Sequence, residues 1–93
     1  MRVEANILIV DDEKNIREGL RLALKKDNHN IFLASNGKEA LELIKNSEID
    51  LVITDLKMPE LDGETLLKII IRDFANIPVI ILTGHGTVET AVK

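Results

Sequence analysis

The 93-residue chain contains no cysteine, which excludes a disulfide framework, a thiolate metal site and a thiol nucleophile. It has neither tryptophan nor tyrosine, and Phe32 and Phe74 carry its only phenyl rings. The core must therefore be aliphatic. There is no basic excess. The formal net charge is -4, so electrostatics gives no reason to expect direct nucleic-acid binding. No apolar run approaches the roughly 20 residues of a membrane span. The polar start Met1-Arg2-Val3-Glu4-Ala5-Asn6 and the short run after it do not make a signal peptide. Repeats, low-complexity tracts and linkers are also missing. What is present is 45% hydrophobic residues, too many for a disordered segment. These features predict one small cytoplasmic domain over residues 1–93, with no membrane partner.

Apolar runs alternate with amphipathic stretches. Residues 6–10 form a continuous apolar run, the pattern of a strand covered on both faces. Residues 13–26 place Ile16, Leu20, Ala23 and Leu24 on one helical face. A second strand is expected at residues 30–34. Asn36 then caps a helix, with Glu39 three residues on as in a capping box; that helix buries Ala40, Leu41 and Ile44 and frays near Asn46-Ser47. Residues 50–54 read as a third strand. The stretch from Lys57 to Gly63 reads as a loop, because Pro59 biases Met58 away from helix. Asp62 is placed to cap a helix over residues 63–73. Pro78 opens a fourth strand ending at Thr83, Gly84-His85-Gly86 is a loop, and Thr87 caps a last helical pattern over residues 88–92. Strands alternating with helices predict an α/β fold with a parallel sheet and right-handed crossovers. The expected form is a flavodoxin-like three-layer sandwich with strand order 2-1-3-4.

Three of the strands end in polar residues. Ile7-Leu8-Ile9-Val10 runs into Asp11-Asp12, Leu51-Val52-Ile53-Thr54 into Asp55, and Val79-Ile80-Ile81-Leu82 into Thr83. Open parallel sheets bind ligands at the carboxyl ends of their strands, at the point where the strand order reverses. In the order 2-1-3-4 that point lies between strands one and three, so Asp11, Asp12 and Asp55 would meet there. Carboxylates so close repel one another, and one should have a raised pKa unless a cation neutralises them. Mg²⁺ suits the site, being a hard ion bound by one or two carboxylates, waters and often a phosphate. One carboxylate could then attack phosphorus and form an acyl phosphate, with Thr83 donating to the added oxygens.

Taken singly, most of these residues have plainer readings. An acid pair after a strand is usually an exposed turn and helix cap, and a threonine there is usually a turn hydroxyl. Asp62 reads as a cap, Asp50 as the start of strand three at the opposite edge, and His29 as a surface turn. His85 has no second histidine placed to join it on a metal. The joint register of the three strand ends is what favours a site.

The stretches ILIVDDE, DLVITDLKMPELDG and PVIILTGHG resemble the first, third and fourth strand signatures of the receiver domain of two-component response regulators. LTGHGTVETAV is similar to receivers of the nitrogen-regulation type, often joined to an AAA+ ATPase and a DNA-binding module. The resemblance implies that Asp55 is the phosphoacceptor and that Asp11 and Asp12 are the metal-binding acid pair, Asp12 directly and Asp11 through water. It implies the Lys57 backbone carbonyl as the third protein ligand of Mg²⁺ and Thr83 as the switch hydroxyl. It further implies a phosphorylated histidine of a sensor histidine kinase as donor and an output domain, such as a transcriptional one, in the intact protein. Such a domain accepts a phosphoryl group in a phosphorelay and is not a turnover enzyme.

Members of that family continue with a fifth strand, bearing a lysine for the phosphoryl group, and a fifth helix. The resemblance therefore implies a truncated receiver, with phosphotransfer slow or absent while Mg²⁺ binding survives. The sequence reading also expects strand four to be an exposed sheet edge through which copies associate as homo-oligomers. An engineered or excised fragment with a vestigial site is the alternative. A haloacid-dehalogenase-like phosphohydrolase is disfavoured because Asp11-Asp12 lacks that family's intervening residue. A flavin site is disfavoured because the loop after strand one has no hydroxyl- and glycine-rich phosphate cradle.

Overall fold

The computed structural model describes residues 4–55, 63–82 and 88–91. Chain order is β1 (Asn6–Val10), α1 (Lys14–Lys25), β2 (Asn30–Ala34), α2 (Gly37–Asn46), β3 (Leu51–Asp55), α3 (Gly63–Asp73), β4 (Val79–Leu82) and β5 (Val88–Ala91). The first four strands are parallel, in order β2-β1-β3-β4, with β5 added beyond β4. The expected α/β fold and the parallel order 2-1-3-4 are therefore present.

Strand alternation divides the core into two layers. Leu8, Val10, Val52, Val79 and Ile81 pack with Ala40 and Ile44 of α2 and with Leu66 and Ile70 of α3. Ile7, Ile9 and Ile53 face the other way, toward Leu20 and Leu24 of α1. Apolar side chains on both faces of the strands explain why the runs in the sequence are continuous instead of alternating. Leu66 is fully buried. Replacing it with alanine should remove about 3 kcal/mol from a total of about 5–15 kcal/mol for such a domain. Urea denaturation of Leu66→Ala should show a large fall in midpoint with little change in slope.

Two helix details differ from expectation. Ile16, assigned to the buried face of α1, is 41% exposed, and Ala23 is also exposed. The first turn of α1 stands at the carboxyl edge of the sheet, before the helix runs back over the strands, and only Leu20 and Leu24 reach the core cluster. At the start of α2, Asn36 does cap, its side chain accepting from the Glu39 N–H at 2.9 Å. The Glu39 carboxylate does not return to the Asn36 amide as in a capping box. It accepts from the Ser35 N–H at 2.7 Å and the Ser35 hydroxyl at 2.8 Å. The turn after α1 is closed by Asn28 at φ 62°, a left-handed conformation that asparagine tolerates better than most residues.

The largest correction concerns residues 88–91. Their expected helical pattern is a strand instead, antiparallel to β4 with Val79↔Ala91 and Leu82↔Val88 in register. Val88-Glu89-Thr90-Ala91 carries two β-branched residues at alternate positions, which suits a strand equally well. The unpaired backbone of β4 decides between them, because its N–H and C=O groups require partners. The predicted free edge of β4 is thus occupied by the chain itself.

Candidate functional site

β1 and β3 are neighbours, with Val10 opposite Thr54 in the parallel ladder. One residue further on, Asp11 and Asp55 stand at adjacent strand ends, and Asp12 follows in the turn to α1. Each of the three offers a carboxylate oxygen, and these oxygens lie within 4.8 Å of one another. Crossover topology alone brings them together, since Asp55 is more than forty positions away in sequence.

The three acids sit in unlike surroundings. Asp11 is buried at 2% exposure, Asp55 is half-buried and Asp12 is exposed. Thr54, the last residue of β3 before Asp55, is fully buried and donates its hydroxyl to the Asp55 carbonyl at 3.0 Å. Asp11 is held on every polar group. Its amide donates to the Ala34 carbonyl at 3.1 Å, its carboxylate accepts the Glu13 N–H at 2.8 Å, and its carbonyl accepts from the Arg17 guanidinium at 2.7 Å.

Burial raises the Asp11 carboxyl above its ordinary value of 3.8. The Glu13 N–H opposes that shift, while the neighbouring charges of Asp55, Asp12 and Glu13 add to it. A group whose folded pKa is raised binds its proton more tightly in the native state. Its contribution to stability therefore falls as pH rises from 3.8 through the raised value. Asp11→Asn keeps the acceptor for Glu13 and removes the charge. In metal-free buffer at pH 7 it should melt at a higher temperature than the wild type, and the gap should close on acidification below pH 3.8. A wild type that melts higher at pH 7 would contradict this.

Donor chemistry fits a hard divalent cation: among the described residues the site offers three carboxylates, one of them too desolvated to be comfortable as a lone anion. Asp50 lies at the opposite edge, as expected, where its carboxylate accepts the Asn6 N–H at 2.8 Å. His29, expected as a surface turn, is half-buried and accepts the Ala5 N–H on Nδ1 at 3.0 Å. A cavity of about 340 Å³ is lined by Arg21, Lys25, His29, Asn30, Ile31 and Phe32. It opens beside the start of β2, away from the acids. Lys57, Asp62, Thr83, His85 and Thr87 lie outside the described residues.

The sequence reading passes over Arg17 and Ser35. Helical periodicity assigns Arg17 to a polar face. No pattern of spacing announces a bond from a side chain to a carbonyl six residues earlier.

Over 92 residues the chain is 42% identical to an NtrX-like response regulator of Rickettsia typhi, aligning 97% of this chain and 19% of that protein. It is 39% identical over 88 residues to the transcriptional regulatory protein GlrR of Escherichia coli, aligning 95% of this chain and 20% of that protein. The chain spans about a fifth of the length of these curated relatives. Among solved structures, response regulator protein TrrA of Thermotoga maritima, in complex with Mg²⁺-BeF, superimposes with a TM-score of 0.82 at 38% identity. That superposition covers 87% of this chain and 72% of TrrA. The model of the response regulator receiver domain matches residues 7–93, and the chain belongs to that family.

Proposed function

We propose that this domain is the phosphoacceptor of a two-component phosphorelay, taking a phosphoryl group onto Asp55 from a phosphorylated histidine of a sensor kinase. The observation that supports this most directly is the meeting of Asp11, Asp12 and Asp55 within 4.8 Å at the carboxyl edge of the sheet. In this reading a carboxylate oxygen of Asp55 attacks phosphorus. The O–P bond forms, the N–P bond breaks, and the imidazole leaves with the electron pair and takes up a proton. Asp11, Asp12, Asp55 and the Lys57 carbonyl would hold Mg²⁺. When bound, that ion neutralises the acids and the incoming phosphoryl oxygens. The Thr83 hydroxyl would donate to the transferred group. TrrA was solved in complex with Mg²⁺-BeF, which supports a Mg²⁺ site in this domain as well.

An output domain such as a transcriptional one would read the change, in keeping with the much greater length of the NtrX-like and GlrR relatives. The role is that of a switch whose product stays attached to it, and not of a turnover enzyme.

The test uses acetyl phosphate as a small donor and mass spectrometry as the readout. Mg²⁺-dependent gain of one phosphoryl group, labile to hydroxylamine as an acyl phosphate is, is the expected result. A hydroxylamine-stable adduct, or none after prolonged incubation with Mg²⁺, would overturn the proposal.

A further inference from the structure

We propose that Arg17 is a positioning residue for the metal site, its guanidinium fixing the peptide that joins Asp11 to Asp12. The inference rests on the reading of the acid cluster as a Mg²⁺ site. Asp11 lies one residue beyond the paired register of β1. Its amide still reaches Ala34, but the carbonyl of the Asp11–Asp12 peptide is taken by Arg17 Nη1 at 2.7 Å. That peptide sets the direction of two carboxylates at once. Rotating it would move Asp12 and would also disturb the Glu13 N–H bond to the Asp11 carboxylate, now 2.8 Å.

The guanidinium has a second neighbour. Its charge helps to hold the Glu39 carboxyl below the usual value, after the larger effects of the Ser35 N–H and hydroxyl. Glu39 in turn anchors Ser35, which follows directly on β2. The effect on the metal acts through the backbone. An arginine is suited to this because a charge-assisted bond to a carbonyl is among the stronger hydrogen bonds a side chain makes.

A purely structural role would close the start of α1, where Glu13 makes no side-chain cap bond. The two roles separate experimentally. Arg17→Met keeps the aliphatic stem and loses the donors, while Arg17→Lys keeps one charged donor group. Mg²⁺ affinity is measured by calorimetry, and amide exchange at Glu13 is measured by NMR in metal-free protein. Arg17→Met should weaken Mg²⁺ binding about tenfold, the effect typical of losing a partner that orients a ligand. It should speed Glu13 exchange while distant amides in β3 keep their protection. Arg17→Lys should recover most of the affinity.

Unchanged Glu13 exchange in Arg17→Met overturns the inference whatever the metal does. So does wild-type Mg²⁺ affinity in that variant, or loss of protection spread evenly over the whole domain. If the wild type itself fails to bind Mg²⁺, the metal site is refuted, and Glu13 exchange still decides whether Arg17 holds the peptide.

Discussion

Asp55→Asn should abolish phosphoryl incorporation from acetyl phosphate, lowering its rate by more than about a hundredfold, as loss of a nucleophile does. Asp55 ends β3, half-buried, beside two carboxylates that cannot take its place. Asp11 is buried and already occupied by the Glu13 N–H. Asp12 is exposed and lies in the turn beyond the strand end. An asparagine amide has the same shape and can still accept hydrogen bonds, so the fold should survive. It lacks the anionic oxygen that forms the acyl phosphate. Mass spectrometry of the variant after incubation with Mg²⁺ and donor should show only the unmodified chain, while circular dichroism matches the wild type. Phosphorylation of Asp55→Asn at the wild-type rate would place the acceptor elsewhere.

The second large effect is on the metal. Replacing Asp11 and Asp12 together with asparagine should weaken Mg²⁺ binding by more than about a hundredfold, beyond the 10–100-fold that follows loss of a merely supporting partner. Two of the three converging carboxylates would be neutral. The consequence is visible in thermal melts. At Mg²⁺ a hundred times its Kd, binding should stabilise the wild type by about 2.7 kcal/mol, and the double variant should gain almost nothing. Without metal the order should reverse, because the variant no longer carries the desolvated Asp11 charge. Crossing of the two melting temperatures as Mg²⁺ is added is the distinctive result. A fixed order at all Mg²⁺ concentrations would show that the acids serve the fold and not a cation.

Much of this is legible in the sequence. Runs such as Ile7-Leu8-Ile9-Val10 and Leu51-Val52-Ile53-Thr54 are buried on both faces, and only a covered parallel sheet accommodates them. Crossover topology then fixed which strand ends meet, and the acid cluster followed from Asp11, Asp12 and Asp55 in that register. What could not be read was non-local or directional. Val88-Glu89-Thr90-Ala91 satisfies helix and strand patterns alike, and the choice rests on the unpaired edge of β4, which local pattern does not report. Ile16 has the spacing of a core residue, but its turn lies at the end of the sheet and not over it. Glu39 sits three residues after Asn36, yet its carboxylate goes one residue further back to Ser35. Arg17 has no signature because its partner is a carbonyl, and every residue has one.

The central claim is that the acid cluster binds Mg²⁺ and presents Asp55 to a phosphoryl group. The most direct measurement is ¹⁹F NMR of beryllofluoride with the 93-residue chain, with and without Mg²⁺. The account predicts bound fluoride resonances that require Mg²⁺ and vanish in Asp55→Asn. Bound resonances that persist in Asp55→Asn, or no bound resonances from a chain shown to be folded and saturated with Mg²⁺, would contradict it.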